Sequence, residues 1–189
     1  MRISLIPKYF SQLEPGIYPG SPVSAKLGAY IHQEVLSQFK DIPKEINMMV
    51  NISNYIKQFN KYLDEKGVII LDVEIFTEIN SMNLYLNGSA DILACDSKGN
   101  MGVIELKCGN VIDGHKYQVV LYAKGLREAY HLPIKFVSLL YLSEYEYYEV
   151  TKNESELNDL IKETERLVNK HSNSLLIFEK ENGYNGFED

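Results

Sequence analysis

Two short stretches hold the residue types that hydrolytic chemistry needs. Gly88-Ser89-Ala90-Asp91 ends on a carboxylate, and Ile104-Glu105-Leu106-Lys107 carries a carboxylate and an ammonium two positions apart. In a strand, residues i and i+2 point to one side, so Glu105 and Lys107 project together while Leu106 turns inward and offers only its carbonyl to their side. With Asp91 opposite them on an adjacent strand, two carboxylates and one ammonium converge. Hard oxygen ligands of this kind hold Mg²⁺; the ion polarises a phosphoryl oxygen, and a lysine orients or helps to deprotonate the attacking water. The spacing itself, 13 residues between Asp91 and Glu105, also fits a surface hairpin with a cross-strand Asp–Lys pair and a second solvated acid. The flanking Ile92, Leu93, Val103, Ile104 and Leu106 argue for core strands, where unpaired charge is costly and more often functional.

A second group follows on a helix. Gln118 and Tyr122 are four apart and share one face, from which both can hydrogen-bond a phosphate or a base edge. Lys116, Lys124 and Arg127 on the same helix are local cations for a DNA backbone, enough for a shallow salt dependence resting on about two to four phosphate contacts. His32 lies on an earlier helix and can reach the strands only if that helix packs over their ends. Glu74, with Glu78 as a competitor, is a further acid near the first strand.

The elements that must position these residues are legible in the hydrophobic pattern. Helical spacing of apolar residues runs over about residues 22 to 39, with Ser21 or Ser24 as N-cap, and again over 52 to 66, where Gly67 is the stop. A β-branched run at 68 to 77 and a second at 84 to 94, joined by turn residues Asn80-Ser81, read as a hairpin. A third strand at 102 to 107 extends the meander. Residues 114 to 131 form a helix closed by Pro133, residues 136 to 142 a continuous apolar strand of the buried, central kind, and 145 to 150 an edge strand. Residues 154 to 170 are an amphipathic helix, and the chain from 183 onward reads as a flexible tail. This order gives an α/β fold, a central mixed β-sheet flanked by helices, in one domain over residues 1–182.

Composition narrows the function classes. The 189 residues carry 19 Lys and Arg against 26 Asp and Glu, a net charge of −7, which excludes a protein that coats nucleic acid through bulk positive charge. The excess is uneven: residues 151–189 hold nine acidic and five basic residues, so the body is nearly neutral. Two cysteines, Cys95 and Cys108, fit neither a metal-ligand spacing nor a disulfide framework, and point to a reducing compartment. The first residues lack the apolar core of a signal peptide, and no uncharged run approaches the ~18 residues of a membrane span. The expectation is a cytoplasmic protein, or one of the host cytoplasm if viral, with no membrane partner. No P-loop or helicase motif is present.

Taken in order, Gly28-Ala29-Tyr30-Ile31-His32 with Glu34 nearby, Val73-Glu74, Leu86-Asn87-Gly88-Ser89-Ala90-Asp91, Ile104-Glu105-Leu106-Lys107 and Gln118-Val119-Val120-Leu121-Tyr122 resemble the PD-(D/E)XK nuclease superfamily. The likeness is to its RecB-like branch, which includes the nuclease domain of RecB, CRISPR adaptation nucleases and viral exonucleases. It spans about residues 21–143 and implies a restriction-endonuclease-like core. It further implies that Asp91, Glu105 and the Leu106 carbonyl bind Mg²⁺ or Mn²⁺, with His32 as an additional ligand. By the same resemblance Lys107 assists the water, and Gln118 and Tyr122 complete the substrate side. Ala90 stands where the usual proline precedes the first aspartate. The four cysteines of iron-sulfur members are missing, so no iron-sulfur cluster is expected. The implied activity is metal-dependent DNA hydrolysis, exonucleolytic or end-processing, on single- or double-stranded ends, with a homo-oligomer or a recombination partner as further associations. The alternative is a catalytically idle member that binds nucleic-acid ends or a partner protein in a recombination or defence complex. The acidic balance favours that alternative, and the intact set Asp91, Glu105 and Lys107 opposes it.

Overall fold

The computed structural model describes residues 1–13, 22–42, 48 and 51–182. After a 3₁₀ turn at Ile3–Leu5 come helices α1 (Ile6–Gln12), α2 (Pro22–Leu36) and α3 (Ser53–Lys66), then strands β1 (Ile69–Ile79), β2 (Leu86–Cys95) and β3 (Met101–Lys107). Helix α4 (His115–Tyr130) crosses to β4 (Ile134–Leu142) and β5 (Tyr147–Lys152), and α5 (Glu154–Lys170) and α6 (Ser172–Asn182) close the described chain. The sheet order is β1-β2-β3-β4-β5. Every neighbouring pair is antiparallel except β3 and β4, which are parallel. A parallel pair needs a long crossover connection, and α4 is that connection.

The architecture is therefore α/β with a mixed five-stranded sheet between helices. One apolar cluster joins α1, α4, α5 and α6 to the face carrying Val103, Val137 and Leu139. The other joins α2 and α3 to Ile92, Ile104, Leu106 and Leu140. The apolar 136–142 run lies in β4, interior as expected, with β3 and β5 on its two sides.

Differences from the sequence expectation fall at element ends and termini. The first long helix stops at Leu36 instead of continuing to 39, where Ser37 Oγ donates to the Glu34 carbonyl and Gln38 Nε2 to that of Val35. Ser24 lies at the start of that helix and Ser21 outside the described residues, as does the expected tail from 183. The edge strand begins at Tyr147, not 145, because Ser143 and Glu146 close a turn: the Glu146 carbonyl accepts from the Ser143 N–H at 3.0 Å and from its hydroxyl at 2.8 Å. Asn153 and Glu156 form a reciprocal capping box that fixes the start of α5.

Two helices, α1 and α6, have no counterpart in the sequence reading. They pack together through Tyr9, whose ring meets that of Phe178 edge-on with centroids 5.5 Å apart and whose hydroxyl lies 3.1 Å from His171 Nδ1. Among the described residues, no helix is long and apolar enough to cross a membrane.

Candidate metal centre and its lysine

The site is built where the alternation of two strands breaks. Residues two apart in a regular strand share a face, yet Val73 packs in the α2/α3 cluster and Ile75 against the α4 cluster. Their partners behave likewise: Ile92, opposite Val73, faces α2/α3, whereas Ala90, opposite Ile75, faces α4. The residues at the break are Glu74, whose φ of 53° is left-handed, and Asp91. A non-glycine residue held there is strained, and such strain gathers at functional positions. The β2–β3 ladder ends close by, at Ile92 and Ile104. Past it, Asp91 Oδ2 accepts the Leu106 N–H at 2.7 Å. In an extended strand the N–H and C=O of one residue leave by the same edge, so the Leu106 carbonyl faces the same opening.

His32 enters from α2. Its Nε2 lies 2.9 Å from Asp91 Oδ1 and its Nδ1 3.5 Å from Glu74 Oε1. One donor atom from each of His32, Glu74 and Asp91 fits within 4.8 Å of the others, close enough for a single ion. This differs from the expected ligand set: Glu74 belongs to the tight triad, and Glu105 stands outside it. Glu105 directs Oε1 to Lys107 Nζ at 2.8 Å, while its Oε2 is buried without a hydrogen-bond partner. Position 74 gave no periodic signal because its backbone leaves the strand pattern; its acidic type beside a β-branched run was the available clue.

Gln118 and Tyr122 are brought to the site, as expected, but they are buried and spend their polar atoms internally. Gln118 Oε1 accepts from Lys107 Nζ at 2.9 Å, and Gln118 Nε2 donates to the Tyr122 hydroxyl at 3.2 Å. They hold the lysine rather than offer a free substrate-side surface. Gly88 leaves room for this chain of contacts: a Cβ there would meet the Tyr122 ring at 3.0 Å.

The three expected DNA-binding cations point elsewhere. Lys124 is two residues on from Tyr122, about 160° around the helix, and is paired with Glu128 at 2.5 Å and Glu165 at 2.6 Å. Arg127 donates to the Ile134 carbonyl and to Asn158 Oδ1. Lys116 pairs with Asp113 at 2.5 Å. Lys116 and Lys124 are thus ion-paired, and Arg127 is hydrogen-bonded to neutral oxygens, within the chain.

The electrostatics of the site are strongly coupled. Burial alone would lower the His32 pKa, but the charge and hydrogen bond of Asp91, with Glu74 and Glu105 behind, raise it to about 9. Burial and then the neighbouring Asp91 charge push Glu105 up to about 8, against the pull of Lys107. Burial raises Glu74 as well, with His32 opposing. For Asp91, burial is outweighed by His32, Lys107 and the Leu106 N–H, and its pKa falls. Burial opposes the charge on Lys107, yet Glu105 and Asp91 keep it above the ordinary lysine value. Cys108, next to Lys107, is pushed up to about 12 by burial, so it is a thiol. The cluster thus sets a cationic imidazole and a cationic lysine among three acids.

No family model matches this chain, and no curated protein does. Among solved structures it is similar to the crystal structure of SSO0001, with 17% identity, 87% of this chain and 85% of that chain covered, and a TM-score of 0.37. That likeness is too distant to carry an activity across.

Proposed function

We propose that this chain is a metal-dependent DNA nuclease of the PD-(D/E)XK type and of its RecB-like branch, hydrolysing phosphodiester bonds at DNA ends. The observation that carries the reading is Glu105 Oε2, a buried carboxylate oxygen without a hydrogen-bond partner, in a side chain that pairs with the Lys107 ammonium and feels the charges of Asp91 and His32 from the neighbouring triad. A buried acceptor left unmet is costly, and a cation in the opening between β2 and β3 would satisfy it. The order helix, three antiparallel strands, crossover helix and parallel strand supports a restriction-endonuclease-like core.

The donor set fits Mg²⁺ or Mn²⁺. Asp91, Glu74 and Glu105 supply hard oxygens, the Leu106 carbonyl faces the same opening, and the His32 imidazole favours Mn²⁺ at least as well as Mg²⁺. When bound, the ion polarises the phosphoryl oxygen and acidifies its water. Lys107 has three N–H donors; two are directed to Glu105 and Gln118, and the third remains for the water or a phosphate oxygen. Because its neighbours hold it protonated, Lys107 orients the attacking water and steadies developing negative charge instead of accepting the proton. The water oxygen bonds to phosphorus as the bridging P–O bond breaks; the water gives up a proton to bulk solvent and the leaving oxygen takes one from it, leaving a phosphate and a free hydroxyl.

The test is incubation of the purified chain with end-labelled linear and circular DNA in Mg²⁺, Mn²⁺ or EDTA. Cleavage of linear DNA with either ion and none in EDTA is expected. Lys107→Ala and Glu105→Gln should each lose at least about 10²-fold in rate while retaining the fold. Wild-type rates in both variants would refute the reading.

A further inference from the structure

Lys107 has neighbours that the proposed hydrolysis does not use. In the β3–β4 pair Lys107 stands opposite Tyr141, and in the β4–β5 pair Tyr141 stands opposite Tyr148. Directly paired residues project to the same side of a sheet, so these three side chains form a row across three strands. Two strand spacings set the Tyr148 backbone about 10 Å from that of Lys107. His115, from the first turn of α4, lies over the row: its Nδ1 is 3.1 Å from the Tyr141 hydroxyl, with ring centroids 5.9 Å apart. The Tyr141 and Tyr148 rings follow at 6.1 Å. Exposure rises outward, from 5% at Tyr141 to 55% at Tyr148. An aromatic track begins beside the ammonium and ends in solvent.

The polar atoms of the track meet one another: the Tyr141 hydroxyl and His115 Nδ1 lie within hydrogen-bond distance. Burial, and then the Lys107 charge, push the His115 pKa down to about 3, so the ring stays neutral. A neutral imidazole and the exposed Tyr148 ring suit a base; a second phosphate would call for cations, and the nearest on α4, Lys116, is paired with Asp113.

We propose that Tyr148, the exposed end of the row that Tyr141 and His115 back, is a stacking subsite for the unpaired base that flanks the phosphate held at Lys107, so that the site takes a single DNA strand. The position of that phosphate rests on the nuclease reading; the stacking does not. Bases in a strand without a complement are free to stack on aromatic side chains, whereas a duplex end must first be unpaired.

Binding of fluorescent oligodeoxythymidylate to the full chain in EDTA, read by anisotropy, separates the two. Tyr148→Ala should weaken binding about tenfold, and Tyr148→Phe should bind as wild type. An oligonucleotide of the same length built from abasic nucleotides should bind wild type and Tyr148→Ala equally. Wild-type affinity in Tyr148→Ala, or an equal loss on the abasic strand, would overturn the subsite. A chain that binds through Tyr148 yet cuts nothing in Mn²⁺ would refute the nuclease reading and leave the subsite standing.

Discussion

Glu105 and Glu149 are both drawn out of water by the same sheet, and their surroundings act in opposite directions. Glu149 Oε1 accepts from the Tyr62 hydroxyl at 2.8 Å and from Ser138 Oγ at 2.6 Å, and its Oε2 lies 3.0 Å from Lys66 Nζ. Burial would raise its pKa, but those hydrogen bonds more than offset it and leave it low. Glu105 has one partner, one buried oxygen without any, and the Asp91 charge nearby, and its pKa is raised. The first acid is completed by its own chain. The second is incomplete, and a buried acid kept in that condition marks a place where something else is to bind.

The contrast is broken or sharpened by exchanging each acid. Glu149→Ala strands the Tyr62 hydroxyl, takes the Lys66 partner away and leaves Ser138 with Thr151 alone, and should destabilise by about 3 kcal/mol. Glu105→Gln keeps an acceptor for Lys107 and removes the repulsion with Asp91, so in EDTA its stability should fall by no more than about 1 kcal/mol or should rise. Urea unfolding of both variants checks this. A Glu105→Gln loss as large as that of Glu149→Ala would make Glu105 an ordinary structural acid.

A further effect is the pH dependence, whose sign differs between the two acids. Glu105 has a folded pKa of about 8 against an ordinary 4.5, so the folded chain binds the extra proton and stability is lost as pH rises from about 4.5 to 8. Measured as the difference in urea midpoint between wild type and Glu105→Gln in EDTA, wild type should weaken over that window. Glu149, with its lowered pKa, contributes stability above its ordinary 4.5 that is lost as pH falls. The difference between wild type and Glu149→Gln should therefore shrink toward acid. Parallel curves for the two pairs would contradict the contrast.

How much of this was legible in the sequence follows from what each residue depends on. The i, i+2 relation put Glu105 and Lys107 side by side, and the i, i+4 relation put Gln118 and Tyr122 on one face, because both rest on local periodicity. The same is true of α4 and the strands it joins. Glu74 was only a secondary candidate, since its place in the triad comes from a left-handed backbone that no alternation encodes. Lys124–Glu128 is an i, i+4 pair within α4, but the commitment of Lys124 to Glu165 and of Arg127 to Asn158 and the Ile134 carbonyl depends on how α5 and β4 dock on α4, which the helix itself does not reveal. Helices α1 and α6 escaped for a related reason: each is short, and they are held by aromatic contacts with one another.

The central claim is that the opening between β2 and β3 binds a divalent ion through Asp91 and its neighbours. Calorimetric titration of Mn²⁺ into the EDTA-stripped, dialysed wild type and Asp91→Asn tests it most directly. The account predicts saturable binding in the wild type that is lost in Asp91→Asn; equal binding by both proteins, or none by the wild type, would contradict it.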